Sequence, residues 1–472
     1  MKKIPVILFL LISFFVKGQE EFNIAQKPLL GWNSFDSYAV YLHEKAAYEN
    51  LEAFVSKLKP HGYEYFVIDA GWFGEFELVP GTLFPAEKHA KKVSIDEFGR
   101  LEPSKTYFPN GIKPIVEKAH QQGVKFGIHL MRGIPRIAVE HNTPVLGTKY
   151  FARDIADTTS ICLWNQQNYG LDMNKPGAQE YYNSVYQKMA DWGIDFVKVD
   201  DLIPYPKEIV AIGKAIFSTG RPMIYSLSPG GSTNLKDIVY YQNAHLIRIT
   251  DDIWDNIESI DRSFDAMKVW QGRGYPGFWP DLDMIPFGQL QLMKPTEYKS
   301  LTNVNEELAG NGFNRWSKFN KAQMRTFITQ RALFASPLIV GGDLPTLDDY
   351  SLELLTNSDM LACNQNGHPA TLISEKGSIE IWTTAISDVQ IKGWIGIFNR
   401  SGKSKKINIS KEKLGLVTFY SEKKNKMERI VPNKFLLKNI WDNIDFPLGN
   451  DEITVTVRSQ DVIFIYYSED IN

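Results

Sequence analysis

Asp195-Phe196-Val197-Lys198-Val199-Asp200-Asp201 is a short apolar run that ends abruptly in acid. Phe196, Val197 and Val199 suit a buried strand. Alternation sets Lys198 and Asp200 on one side of it, with Val197 and Val199 on the other. A lysine and a carboxylate on one side of a buried strand are costly unless they are paired or take part in chemistry. In isolation the pattern is that of a structural ion pair at a strand end. Here it recurs, because other strand-like runs of the chain also end in polar or acidic residues.

Outward from this strand, residues 178–192 have helical spacing and lead into it. Before them lie Val124-Lys125-Phe126-Gly127-Ile128-His129-Leu130 and a helix over 112–122 stopped by Gly123. Earlier still are Tyr65-Phe66-Val67-Ile68-Asp69-Ala70-Gly71-Trp72 and a helix over 44–58 ended by Pro60-His61-Gly62. Leu29-Leu30-Gly31-Trp32-Asn33-Ser34-Phe35-Asp36 opens the series. Downstream come Met223-Ile224-Tyr225-Ser226-Leu227-Ser228 and Leu246-Ile247-Arg248-Ile249-Thr250-Asp251-Asp252. The region around Trp279-Pro280-Asp281-Leu282-Asp283-Met284, a helix over 321–333, and Pro337-Leu338-Ile339-Val340-Gly341-Gly342-Asp343 complete it. Eight short apolar strands, mostly separated by helices, predict a (β/α)8 (TIM) barrel over residues 19–369. A doubly wound open sheet usually has fewer strands, and no G-x-G-x-x-G follows the first strand. Residues 73–109 and 131–174 read as long loops, of the length that usually carries function. From about Ala370, helical periodicity fades. Runs such as Ile379-Glu380-Ile381-Trp382, Leu416-Val417-Thr418-Phe419-Tyr420 and Val462-Ile463-Phe464-Ile465-Tyr466-Tyr467 predict a C-terminal antiparallel β-sandwich over 370–472.

The chain has 472 residues, 43% hydrophobic and 23% charged, with a formal net charge of -3. Nothing in that balance points to nucleic acid or an anionic membrane surface as partner. Lys2 and Lys3 precede an apolar run over 4–16 and a small residue at Gly18, the pattern of a secretory signal over 1–18. The run is too short for a comfortable membrane span, and export to the periplasm or the medium is the expectation. Cys162 and Cys363 alone make no disulfide framework. No His and Cys cluster has metal-ligand spacing.

In a barrel the C-terminal strand ends converge on one mouth. Here they deliver Asp36, Asp69, His129, Arg132, Lys198, Asp200, Asp201, Arg248, Asp252, Asp281, Asp283 and Asp343, with Trp32, Trp72, Ser226 and Ser228. A mouth so rich in carboxylates suits metal binding or glycoside hydrolysis, in which two carboxyl groups flank an oxocarbenium-like transition state. Aromatic faces suit a sugar ring, and Asp and Lys suit its hydroxyls.

Several ordered motifs resemble glycoside hydrolase family 27, the α-galactosidase (melibiase) and α-N-acetylgalactosaminidase family. They are Gly31-Trp32-Asn33-Ser34, Tyr65-x-x-Ile68-Asp69-x-x-Trp72, Lys125-Phe126-Gly127-Ile128, Trp192-Gly193-Ile194-Asp195 with Lys198-x-Asp200, Arg248-x-x-x-Asp252, and Trp279-x-Asp281-x-Asp283-Met284. The resemblance implies a metal-free, cofactor-free retaining mechanism on an oligo- or polysaccharide substrate, with Asp200 as nucleophile and Asp252 as acid/base. The residues expected to meet substrate are Trp32, Asp69, Trp72, His129, Lys198, Ser228, Arg248 and Asp283. Lys198 is expected to lower the Asp200 pKa, and Asp252 to sit where charge is disfavoured. Retention asks for carboxyl groups about 5–5.5 Å apart, which strands 4 and 6, taken as neighbours, can supply.

The chain departs from the family in places. Many members have two consecutive aspartates after strand 2, where this chain has Asp69-Ala70. That removes an acceptor for hydroxyls near C4 and C6 of galactose and keeps β-L-arabinopyranosides, which lack the C6 group, among the candidate substrates. Ser228 stands where α-galactosidases have a glutamate, which resembles the N-acetylgalactosaminidase arrangement. The loop bearing Arg132, Arg136 and Trp164 matches none of these motifs. Competing readings are a non-catalytic carbohydrate-binding barrel and a metal-dependent barrel hydrolase.

Overall fold

The structure is a computed structural model. It describes residues 24–76, 90–292, 315–385, 392–410, 412–414, 420–423, 426–429, 435–446 and 452–469. The signal segment and the run Leu416-Val417-Thr418-Phe419 lie outside the described residues.

Eight parallel strands form the core: β1 (Leu30–Asn33), β2 (Tyr65–Ile68), β3 (Lys125–Met131), β4 (Phe196–Asp200), β5 (Ile224–Leu227), β6 (Leu246–Arg248), β7 (Trp279–Asp281) and β8 (Leu338–Val340). They pair in sequential order, and β1 pairs with β8. A parallel bridge between Ile285 and Val340 closes the ring just beyond β7. The (β/α)8 expectation therefore holds. One detail is corrected: β5 lies between β4 and β6, so strands 4 and 6 are not neighbours.

The helices that alternate with these strands are α1 (Glu44–Ala53), α2 (Lys113–Gln121), α3 (Ala178–Trp192), α4 (Pro206–Ser218), α5 (Ile238–Tyr241), α6 (Ile257–Trp270), α7 (Lys321–Leu333) and, after β8, α8 (Asp349–Thr356). α1 is shorter than the spacing predicts, because residues 54–58 unwind to a π turn and 59–61 to a 3-10 turn before Gly62 ends the element at φ +91°. α3 ends at Trp192, as the spacing predicts, with Gly193 after it also in the left-handed region.

Strand alternation sorts the side chains into two cores. Tyr65, Val67, Phe196, Ile224, Leu246, Trp279 and Ile339 form one apolar cluster inside the barrel. Val197, Val199, Phe66 and Trp32 belong to the cluster shared with the helices. On β4 the inner face therefore carries Phe196 low, Lys198 in the middle and Asp200 at the top.

Both long loops contain structure of their own. Residues 74–76 and 90–93 pair as a hairpin. The segment after β3 holds a three-stranded sheet (134–135, 168–171, 156–161) and the short helices Arg136–His141 and Ala152–Ile155. The C-terminal part is a six-stranded antiparallel sheet, with a further strand pair (405–410 with 452–457) packed through Ile395, Ile397, Ile409, Val455 and Ile465. Cys162 and Cys363 are buried and not disulfide-bonded. Among the described residues no helix is long and apolar enough to cross a membrane.

Candidate active site

A cavity of about 360 Å³ opens at the C-terminal mouth of the barrel. Asp200, Asp252, Lys198, Arg248 and Asp283 all line it. All but Lys198, which lies in the middle of β4, sit at or just past the end of their strands.

Asp200 is buried, and its Oδ2 lies 2.9 Å from His129 Nε2 and 3.7 Å from Lys198 Nζ. Its Oδ1 has no partner among the described residues. Burial opposes the charge, but Lys198 and His129 outweigh it and hold the Asp200 carboxyl well below the usual carboxylate range. Lys198 also reaches Asp69 Oδ2 at 2.9 Å. Burial works against its ammonium, and Asp200 and Asp69 more than compensate, lifting it above the ordinary lysine range. Asp69, His129 and Asp200 could each offer a metal-ligand atom, all within 4.8 Å of one another. Lys198 already supplies the cation between two of them.

Arg248 is the second hub. Its Nη2 lies 2.8 Å from Asp252 Oδ1 and 3.2 Å from Asp283 Oδ2, and its Nη1 donates to Ser228 Oγ at 3.2 Å. Asp283 also accepts the Ile253 N–H at 2.8 Å. Its backbone sits at φ +72°, a conformation non-glycine residues adopt only when their surroundings impose it. Burial raises the Asp283 carboxyl, with Arg248 opposing. The Asp252 side chain is 44% exposed, in contrast to buried Asp200. Its pairing with Arg248 departs from the expected charge-hostile setting.

The remaining expected residues stand behind the cavity wall. Asp69 is fully engaged by Asn33 Nδ2 (2.6 Å), Lys198 and the Ala70 N–H (2.8 Å). His129 and Ser228 brace Asp200 and Arg248 from below. Trp32 does not line the cavity: it is out of phase with Asn33, stacks on Phe66 and donates its indole N–H to Gly342 O. Trp72 is buried against Trp192 and donates to His129 O. Of the other acids, Asp201 pairs with Arg132, which also holds Glu208, and Asp343 turns to the Tyr38 hydroxyl.

Phe35 is the aromatic of the wall beside Lys198, its ring 5.7 Å from Lys198 Nζ. Beside it is Asp36, whose buried Oδ2 has no partner among the described residues. Burial, with Asp283 and Asp252 nearby, pushes the Asp36 carboxyl well up. Met284, Ile253, Trp254, Pro229, Asp251, Arg262 and Trp164 complete the wall. Phe35 was within reach of sequence reasoning, since it is the next aromatic after Trp32 and lies past the strand end. Trp254 and Arg262 gave no pattern to follow.

A family model described as Alpha galactosidase A (melibiase type) matches residues 146–303. The α-galactosidase of Cyamopsis tetragonoloba is 25% identical over 403 residues, covering 84% of this chain and 78% of that protein. The structure of a family 27 β-L-arabinopyranosidase from Geobacillus stearothermophilus is 35% identical with a TM-score of 0.82, covering 95% of this chain and 98% of that one. A Bacillus halodurans structure described as an α-N-acetylgalactosaminidase is 32% identical with a TM-score of 0.76, covering 94% and 97%. With the two hubs at one barrel mouth and likeness of this extent, the chain belongs to glycoside hydrolase family 27 and is a glycoside hydrolase.

Proposed function

We propose a retaining exo-glycosidase that removes terminal galacto-configured pyranosyl residues by double displacement. The observation that carries this is the contrast between the two aspartates on one cavity wall. Asp200 is buried and held ionised with one oxygen unbonded, while Asp252 is half-exposed at the rim. An ionised, unencumbered carboxylate is what attack on an anomeric carbon needs. Asp252 faces the side from which a leaving group departs. In the first step Asp200 bonds to the anomeric carbon while Asp252 gives its proton to the leaving oxygen. Water then enters, Asp252 takes its proton, and the glycosyl–Asp200 ester opens. The floor is closed by buried Asp36, Lys198, Arg248 and Asp283, which suits a chain end rather than a chain interior.

Within this class we favour β-L-arabinopyranosides over α-D-galactosides. Ala70 is buried and offers no acceptor where many family members carry a second aspartate, and the Geobacillus relative at 35% identity is a β-L-arabinopyranosidase. Export across a membrane is part of the proposal and rests on the basic and apolar residues 2–16. The test is hydrolysis of nitrophenyl β-L-arabinopyranoside, α-galactoside and α-N-acetylgalactosaminide by wild type and Asp200→Ala. The arabinopyranoside is expected to be turned over fastest, with activity lost in the variant. Undiminished activity in Asp200→Ala refutes the nucleophile assignment.

A further inference from the structure

We infer that the cavity rim is a built leaving-group subsite, with Trp164 as its stacking platform and a pyranose ring as the group it accepts. The inference rests on the glycosidase reading above and adds what lies on the far side of the cleaved bond.

The argument begins with depth. Asp36, Lys198, Asp200, Arg248 and Asp283 are each under a tenth exposed and form the floor. Asp252 is 44% exposed in its side chain, and Arg262 is exposed. The scissile bond lies between the nucleophile and the acid/base, so the departing group must sit outward of Asp252, against the rim. Two side chains there can read it. Trp164 is half-buried and lines the cavity, and its indole is the large apolar group that the insertion after β3 brings there. Such a face suits the C–H side of a sugar ring. Arg262 donates from Nη2 to Asp252 O at 3.0 Å and to Ser259 Oγ at 3.2 Å. A guanidinium has more N–H groups than these contacts use, and they suit ring hydroxyls.

The platform is also pre-organised. Trp164 belongs to the insertion after β3, whose next residues are pinned. Asn165 Oδ1 accepts the Gln167 N–H at 2.9 Å, and Gln167 O accepts the Arg136 N–H at 2.8 Å. Asn168 Nδ2 donates to Arg132 O at 2.9 Å, and Arg132 is itself buried between Asp201 and Glu208. An aromatic on so well anchored a base loses little entropy when a ring stacks on it.

The experiment compares kcat/KM for two substrates that share the sugar the wild type prefers. One is the glycosyl fluoride, whose leaving group is too small to reach Trp164. The other is the same sugar linked to a hexose. For Trp164→Ala the disaccharide-to-fluoride ratio of kcat/KM is expected to fall about tenfold relative to wild type. Trp164→Phe, which keeps a stacking face and guards against a folding defect, is expected to restore most of it. An unchanged ratio, whether both rates hold or both fall together, overturns the leaving-group role and leaves the glycosidase reading standing. Wild type that hydrolyses neither the galactosyl nor the arabinopyranosyl fluoride overturns both.

Discussion

With Nζ 2.9 Å from Asp69 and 3.7 Å from Asp200, Lys198 is a buried cation joining two carboxylates. Its removal leaves the burial of Asp200 opposed by His129 and the Ser228 hydroxyl. Burial raises a carboxyl pKa, so in Lys198→Met the Asp200 pKa moves up. As the proposed nucleophile Asp200 must be ionised, so the acidic limb of the kcat/KM–pH profile is expected to shift to higher pH. At the optimum, kcat/KM falls on the order of 10²-fold, as when a pre-organised charge-stabilising group is lost. A profile whose acidic limb stays in place shows that Lys198 does not set the nucleophile's charge. This pair was legible in the sequence because period-two alternation is a property of any strand and put 198 and 200 on one side. The same rule puts Trp32 on the helix side. Its indole was expected at the sugar because a motif match marks a neighbourhood, whereas the phase of the strand decides which residue faces inward. Phe35, past the strand end, is free of that phase.

Among the elements, α7 was readable to the residue. Asn320 and Gln323 form a reciprocal capping box at its start, and the helical spacing runs to Leu333. The insertion after β3 was not. Its strands are short, one has a register shift, and the outer strand is largely solvent-facing, so neither alternation nor helical spacing stands out. Its order comes from long-range contacts such as Arg132 with Glu208, 76 residues apart. The exit of β8 shows how tightly strand ends are fitted around the site. A Cβ at Gly342 would lie 1.8 Å from the Phe287 carbonyl oxygen, and one at Gly341 would lie 2.0 Å from Asp36 Oδ2. Backbone cannot yield as a side chain does, so Gly342→Ala is expected to cost about 3 kcal/mol, the upper end of overpacking. Chemical denaturation measures it, and a loss within about 0.5 kcal/mol, the range of neutral surface changes, contradicts the fit described.

At the scale of the whole molecule, the barrel and the C-terminal sheet share one apolar core. Trp382, Trp394, Phe398 and Phe464 pack in the same cluster as the barrel helices. Polar contacts reinforce it: Arg325 with Asp461, Gln323 with Gln460, and the Trp441 indole N–H with Thr329 Oγ1. Glu380 is fully buried and paired with Lys268 of α6 at 2.9 Å and Arg400 at 2.7 Å. Unfolding is therefore expected as a single transition, seen alike by near-UV and far-UV probes. Glu380→Ala, which takes the buried carboxylate from Lys268 and Arg400 and leaves them Glu375 and Asp261 at the surface, is expected to cost about 2 kcal/mol. Two separated transitions in the wild type contradict a shared core. The change of architecture near residue 370 was legible because helical spacing gives way to strand-like runs there, but the contacts across the seam lie far apart in sequence.

The central claim is the division of labour between Asp200 and Asp252, and azide rescue tests it most directly. In Asp200→Ala, azide can take the nucleophile's place, and the product is expected to be a glycosyl azide of inverted anomeric configuration. In Asp252→Ala the covalent intermediate still forms from an activated substrate, and azide then attacks it to give a glycosyl azide of retained configuration. NMR of the two products reads the configurations. The opposite assignment, retained from Asp200→Ala and inverted from Asp252→Ala, would contradict the account.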